Sequence, residues 1–399
     1  MSQSRMIPVV AAGALAAWAC GGPSSSSPPP TSAVPVAAER TETPGASQGA
    51  TQTQPHGQEA AEPQREPEPE LEVVAALDVA PGNITVTPSG RVVMSLHQFY
   101  EPKLRVVTLD ENNQPVPFAA GAKVDAVLGI QADRDGVVWM LDNGMRTNKP
   151  RRLIGWDADK NRKVADINLN KASAKDSFLN DLVVDRDHDA VYIADPAGGA
   201  NAAIVVVDLK TRKARRVLEG HASVLPGDID LVVDGTPVRV RTPDGNEIRP
   251  HLGINPIAAD AQNEWLYYGP MHGTTLYRVR TADLRDPKLP PEELAGRVEE
   301  WAERPISDGI SMDSAGNIYI SDVGNNAVGV IGADRKYRVL VQDERLSWPD
   351  AFSFGPDGKL YVVANQLHRT ARLNAGTQTA APPFHVLRFQ PLAEGVIGR

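Results

Sequence analysis

The stretch DGISMDSAGNIYISD, residues 308–322, carries the plan of the whole chain. An acid, Asp308, opens a short apolar run that ends at Asp313. Ser314-Ala315-Gly316-Asn317 then supplies a turn, and Ile318-Tyr319-Ile320-Ser321-Asp322 forms a second run. β-Branched and aromatic residues on both sides of a Gly/Asn turn predict a β-hairpin. The phrase has five further copies: GNITVTPSGRVVMSL (82–96), LGIQADRDGVVWMLD (128–142), NDLVVDRDHDAVYIAD (180–195), LGINPIAADAQNEWLYYG (252–269) and DAFSFGPDGKLYVVAN (350–365). One hairpin cannot bury its own apolar face. Recurrence at intervals of roughly 40 to 70 residues therefore predicts units stacked into a closed ring. Six units make an all-β, six-bladed β-propeller.

Few charges interrupt these runs, as expected for sheets packed on both faces. Third strands are predicted at Leu104–Leu109, Arg152–Trp156, Ala203–Val207, Thr275–Val279 and Ala327–Ile331. The strand His385–Phe389 is expected to pair with Glu72–Ala76, which closes the ring and removes its open edges. Between blades 3 and 4, residues 220–250 form an insertion with a hairpin pattern of its own (Leu231 to Val240), readable as a lid or as a decorated loop.

The 399-residue chain is long enough for one propeller, expected over 71–399, preceded by an extension. Met6–Trp18 is apolar but too short to span a bilayer. With Arg5 before it and Ala17-Trp18-Ala19-Cys20 after it, the segment 1–20 resembles a bacterial lipoprotein leader whose cysteine is acylated; an ordinary cleaved signal is the alternative. Either predicts export to the cell envelope or beyond, with a membrane reached only through Cys20. Residues 21–70 are rich in Pro, Ser, Thr, Gln and Glu and hold no aromatic residue, so they predict a disordered tether of roughly 40 Å root-mean-square reach. The net charge is −9, of which −6 falls between Glu39 and Glu72. No basic run or stripe suggests a nucleic-acid partner. Cys20 is the only cysteine, which excludes a disulfide, a cysteine zinc site and a thiol nucleophile from the propeller. A monomer is expected.

In a hairpin, the residue entering the first strand and the residue leaving the second lie at one end. The entering positions read Asn83, Gly129, Asn180-Asp181, Gly253, Asp308 and Asp350; the leaving positions read His97, Asp142-Asn143, Asp195, Gly269 with His272, Asp322 and Asn365. One mouth of the axial channel is thus predicted to gather carboxylates, amides and two histidines. Any single Asp or Asn here has an ordinary alternative as a loop cap. A ring of clustered carboxylates, however, is costly without a cation nearby, which points to a metal ion or a protonated amine. Trp348, beside the blade 6 entrance, is a candidate to stack on a ligand.

Pro81–Arg91, Phe178–Asp185 with Tyr192–Pro196, Leu276–Arg285 and Ser307–Asp313 resemble the Yellow/major royal jelly protein family over about Leu71 to Arg369. The resemblance implies a six-bladed propeller. It also implies either small-molecule binding, as in secreted relatives that bind biogenic amines, or a link to dopachrome conversion. His97 or His272 near Asp308 would then be candidate proton-transfer groups. A wider resemblance is to calcium-dependent gluconolactonases, whose metal is held by residues entering blades 1, 3, 4 and 5. Asp308 and the Asn180-Asp181 pair match that pattern, whereas Asn83 replaces a Glu and blade 4 offers Leu252-Gly253 without a ligand. A calcium-dependent lactone hydrolase, with calcium held through Asp308 and Asn180 or through a shifted set of Asp308, Asp322 and Asp350, stands beside the amine reading, as does an envelope protein-interaction scaffold. Asp185–Asp189 opens like a calcium loop but has Ala190 and Pro196 where Gly and Glu are needed, so it reads as a turn.

Overall fold

The computed structural model describes residues 68–242 and 244–399. The expected leader with Cys20, and the expected tether as far as residue 67, lie outside the described residues. Each quoted hairpin forms the two inner strands of a four-stranded antiparallel sheet, and six such sheets are present. The innermost strands of blades 1 to 6 are Pro81–Val86, Val127–Ala132, Leu182–Asp185, Ile254–Ala259, Ser307–Met312 and Pro349–Phe354. The ring closes as the sequence suggests: Glu72–Leu77 becomes the outermost strand of blade 6, with Ala76 opposite His385 and Glu72 opposite Arg388.

Six apolar clusters each fill one seam between adjacent blades. Val86, Met94 and Val107 of blade 1, for example, meet Tyr361, Val363 and Val386 of blade 6. Burial on both faces explains why inner strands read as unbroken apolar runs. The fourth strands of blades 2 and 4, Arg162–Asn168 and Glu299–Glu303, leave most side chains exposed or half-buried and carry no such signal.

A seventh cluster lies over one mouth of the ring. Leu231, Val233 and Val238 of the 220–250 insertion pack there with Leu252, Met271, Val323, Trp348, Leu367 and Leu373. On the opposite face, Glu394–Arg399 crosses the channel, hydrogen-bonds to five blades and packs closely against the remaining one, blade 2. Its ties are Thr85 Oγ1 to the Gly398 carbonyl (2.9 Å), Gly398 against Ala132, Arg399 Nη2 to the Val184 carbonyl (2.7 Å) and Arg399 Nη1 to the Asp260 carbonyl (3.2 Å). The Ser314 amide donates to the Glu394 carbonyl (2.8 Å), and Phe354 exchanges backbone bonds with Gly398 and Arg399 (2.9 and 2.7 Å).

Candidate functional site

The site is built by a repeated backbone irregularity. In blades 1, 2, 4, 5 and 6 the pairing of the two inner strands slips, for instance between Ser307 opposite Asp322 and Ile310 opposite Ile320. Two residues on the inner strand then face one on its partner, and such a bulge re-aims side chains. Blade 3 is irregular at the same place, where the Asn180 amide donates to the Ala194 carbonyl and the Ala194 amide to the Asp181 carbonyl. The irregular pairs are Gly82-Asn83, Leu128-Gly129, Asn180-Asp181, Asn255-Pro256, Asp308-Gly309 and Asp350-Ala351. Ser321 Oγ steadies one of them by accepting from the Asp308 and Gly309 amides at 3.0 and 2.8 Å. Glycine is required where blades touch at these points: a Cβ on Gly309 would lie 2.0 Å from the Asp350 carbonyl oxygen, and one on Gly129 2.2 Å from that of Asn180.

Asn83, Asn180, Asp181, Asn255, Asp308 and Asp350 thereby line one axial cavity together with His97 and Trp348. A hydrogen-bonded chain runs across it. Asn180 Nδ2 donates to Asn255 Oδ1, Asn255 Nδ2 donates to Asp308 Oδ1, and Trp348 Nε1 donates to Asp308 Oδ2 at 2.7 Å. Asn83 Nδ2 donates to Asp181 Oδ1 at 3.0 Å, and Asn365 Nδ2 to Asp350 Oδ2 at 2.6 Å. Phe99, Leu252, Met271, Leu367 and Leu373 complete an apolar wall. The cavity measures about 40 Å³, room for roughly three waters.

Burial pushes the Asp308 carboxyl up to about 6, against the bonds from Trp348 and Asn255 that favour its ionised form. Burial, and then the charge of Asp308, hold Asp181 well above the ordinary carboxylate range. Burial followed by the charges of Asp308 and Asp181 does the same to Asp350. Among the described residues, no lysine or arginine lines the cavity to offset these carboxylates. Burial, aided by Arg372, lowers His97 to about 3. Its Nδ1 accepts from the Phe99 amide at 3.2 Å, so the neutral ring carries its proton on Nε2.

Two sequence expectations need correction. The leaving positions other than His97 do not line the cavity, because they belong to the second strand and their side chains turn back to fasten loops. Asp195 pairs with Arg216 and accepts from the Phe178 and Ala197 amides. Asp322 accepts from the Tyr337 hydroxyl (2.6 Å) and from Asn325. Asn365 stands behind Asp350. His272 is fully buried beside His251, accepts the Leu252 amide on Nδ1 at 3.2 Å, and is lowered to about 4 by burial and then His251. The second correction concerns blade 4, which does offer a polar group: Asn255, three residues beyond Leu252. The pattern Leu-Gly-Ile occurs at both 128–130 and 252–254 and suggests a false register. In the structure Ile257 sits opposite Tyr268 as Ile130 sits opposite Met140, so Asn255 is the counterpart of Leu128.

The oxygen-only donors have the chemistry of a hard-cation site. Their arrangement does not fit a ready-made calcium cage. Each carboxylate is engaged by an amide or indole N–H, and among the described residues no group of three or more His, Cys, Asp or Glu converges as a metal site.

Solved structures share this architecture. A luciferin-regenerating enzyme is 14% identical with a TM-score of 0.53, over 83% of this chain and 98% of its own. A calcium-binding regucalcin from Agrobacterium tumefaciens is 13% identical with a TM-score of 0.51, over 82% and 98%. A gluconolactonase from Xanthomonas campestris is 15% identical with a TM-score of 0.50, over 82% and 95%. At these identities the likeness is one of fold alone. No curated protein sequence matches. The major royal jelly protein family model matches residues 126–383, more than half of the chain. With six blades, bulged inner strands and that match, the chain belongs to the major royal jelly protein family.

Proposed function

We propose that this protein is an exported propeller, held at a membrane through Cys20, that binds a small molecule carrying a protonated amine in its axial cavity. One observation carries the reading: Asp308 and Asp350, both buried, and Asp181, half-buried, share a single lining that holds no lysine or arginine among the described residues. Buried carboxylates are tolerated when protonated or when a cation joins them, and an ammonium group satisfies both charge and hydrogen bonding. The apolar wall of Phe99, Leu252, Met271 and Trp348 suits an aromatic or aliphatic body attached to that amine. Catalysis of the dopachrome type would need a base within the cavity. His97 presents a proton rather than a lone pair on Nε2, so a carboxylate such as Asp308 is the better base and His97 the better donor.

The test is titration with dopamine and serotonin, followed by tryptophan emission, since Trp348 borders the cavity. Saturable quenching that is lost in Asp308→Asn and Asp350→Asn variants supports the reading. A flat response of the wild-type protein to both amines refutes it.

A further inference from the structure

The cavity as it stands is far smaller than a pocket for an aromatic amine, which occupies on the order of 300 Å³. Something must move before such a ligand reaches Asp308. The floor offers little freedom, since its bulges are locked by backbone and serine hydrogen bonds and by glycine contacts closer than any side chain permits. The roof is made differently.

The insertion leaves the ring between blades 3 and 4 and reaches over the mouth to blades 5 and 6. Its short hairpin, Val232–Val233 with Thr236–Pro237, turns at Asp234-Gly235, both with positive φ (51° and 73°), as a tight hairpin turn requires. Asp234 at this tip accepts from Asn326 Nδ2 of blade 5 at 2.6 Å, and its other oxygen faces His368 Nε2 (3.6 Å) and Arg369 Nη2 (3.5 Å) of blade 6. His368 in turn stacks on Trp348, with ring centroids 5.9 Å apart and planes at 7°. Behind the tip, Arg239 exchanges backbone bonds with Leu373 and Ala375 (3.2 and 2.9 Å), joining the insertion to the 367–376 loop. Leu231, Val233 and Val238 press on the same cluster as Trp348, Leu367 and Leu373, which line the cavity.

We infer that residues 231–242 form a lid over the axial cavity, latched at its tip by Asp234 and opened by swinging away from the 367–376 loop. Two-residue strands and a half-exposed latch place this unit at the low end of local stability, whereas the blades are buried on both faces. The lid would set the rate at which a ligand reaches the carboxylates and would shield the bound state from water.

Hydrogen–deuterium exchange on the full chain tests this without any ligand. In the wild type, the Arg239 and Ala375 amides, whose bonds cross between lid and loop, should exchange at least tenfold faster than inner-strand amides such as Ile310. Asp234→Ala and, independently, Arg369→Ala should accelerate them by about fivefold while the inner strands keep their protection. Lid amides as slow as the blades, or unmoved by both substitutions, would overturn the lid. Stopped-flow mixing with dopamine forms a second arm, which rests on the amine reading: Asp234→Ala should raise the association rate several-fold. Absence of dopamine binding in either protein refutes that reading and leaves the exchange result to decide the lid.

Discussion

Replacing Asp308 by Asn should change how stability depends on pH. Burial raises its pKa from 3.8 in the unfolded chain to about 6 in the folded one. A carboxyl raised on folding binds its proton more tightly in the native state. It therefore adds no penalty below pH 4, and it costs stability progressively as pH climbs through about 6. Two units correspond to about 3 kcal/mol, or about 4 °C in Tm for a domain of this size. The amide in Asp308→Asn faces two donors, Trp348 Nε1 and Asn255 Nδ2, with one acceptor, and this mismatch carries a cost of its own. That cost does not vary with pH, so it cancels when the stability difference between variant and wild type at pH 7.5 is compared with the same difference at pH 4. The variant should gain about 3 kcal/mol relative to wild type between those values. Relief of Asp181 and Asp350, both raised in part by the Asp308 charge, adds in the same direction. Urea unfolding at the two pH values reads the effect. A difference that stays constant across pH would show that the surroundings of Asp308 do not raise its carboxyl, and the electrostatic case for a cationic ligand would fail with it.

Three further outcomes follow from the same geometry. Gly309→Ala forces a Cβ to within 2.0 Å of the Asp350 carbonyl oxygen; it should cost about 3 kcal/mol or more, and an unchanged urea midpoint would contradict the close approach of blades 5 and 6. Asp195→Ala strips a buried partner from Arg216 and should cost about 3–5 kcal/mol while leaving amine affinity within twofold of wild type; a large loss of affinity would return Asp195 to the binding site. Trp348→Phe removes the indole N–H that favours ionised Asp308, so the pH midpoint of the Asp308 transition should move upward, measurable by carboxyl carbon NMR, and a downward move would refute the assigned bond.

The propeller was legible because its inner strands are buried on both faces and its turns are spelled in Gly, Asp and Asn. The fourth strands were not, since Arg162–Asn168 and Glu299–Glu303 turn mostly polar side chains outward. Asn83, Asn180, Asp181, Asp308 and Asp350 stood out as polar residues at the start of apolar runs. Asn255 hid behind Leu252-Gly253-Ile254, which imitates Leu128-Gly129-Ile130. Counting back from the turn would have found it: Asn255 precedes Asp260 by five residues, as Asp308 precedes Asp313 and Asp350 precedes Gly355. The acids at the ends of second strands misled for a physical reason. Asp142 and Asp195 occupy equivalent places and hold the incoming backbone through the Ala126 and Phe178 amides, a structural duty that has the same composition as a binding one.

The segment Glu394–Arg399 changes how the ring bears load. Blades joined only to their neighbours behave as links in a loop, and tension on the Glu72–Leu77 strand would peel them in turn. A common hub beneath the channel, reaching Thr85, Ala132, Val184, Asp260, Ser314 and Phe354, shares a pull on any spoke among all of them. A protein tugged from its N-terminal side would then yield in one abrupt rupture at high force rather than as a staircase of single-sheet events.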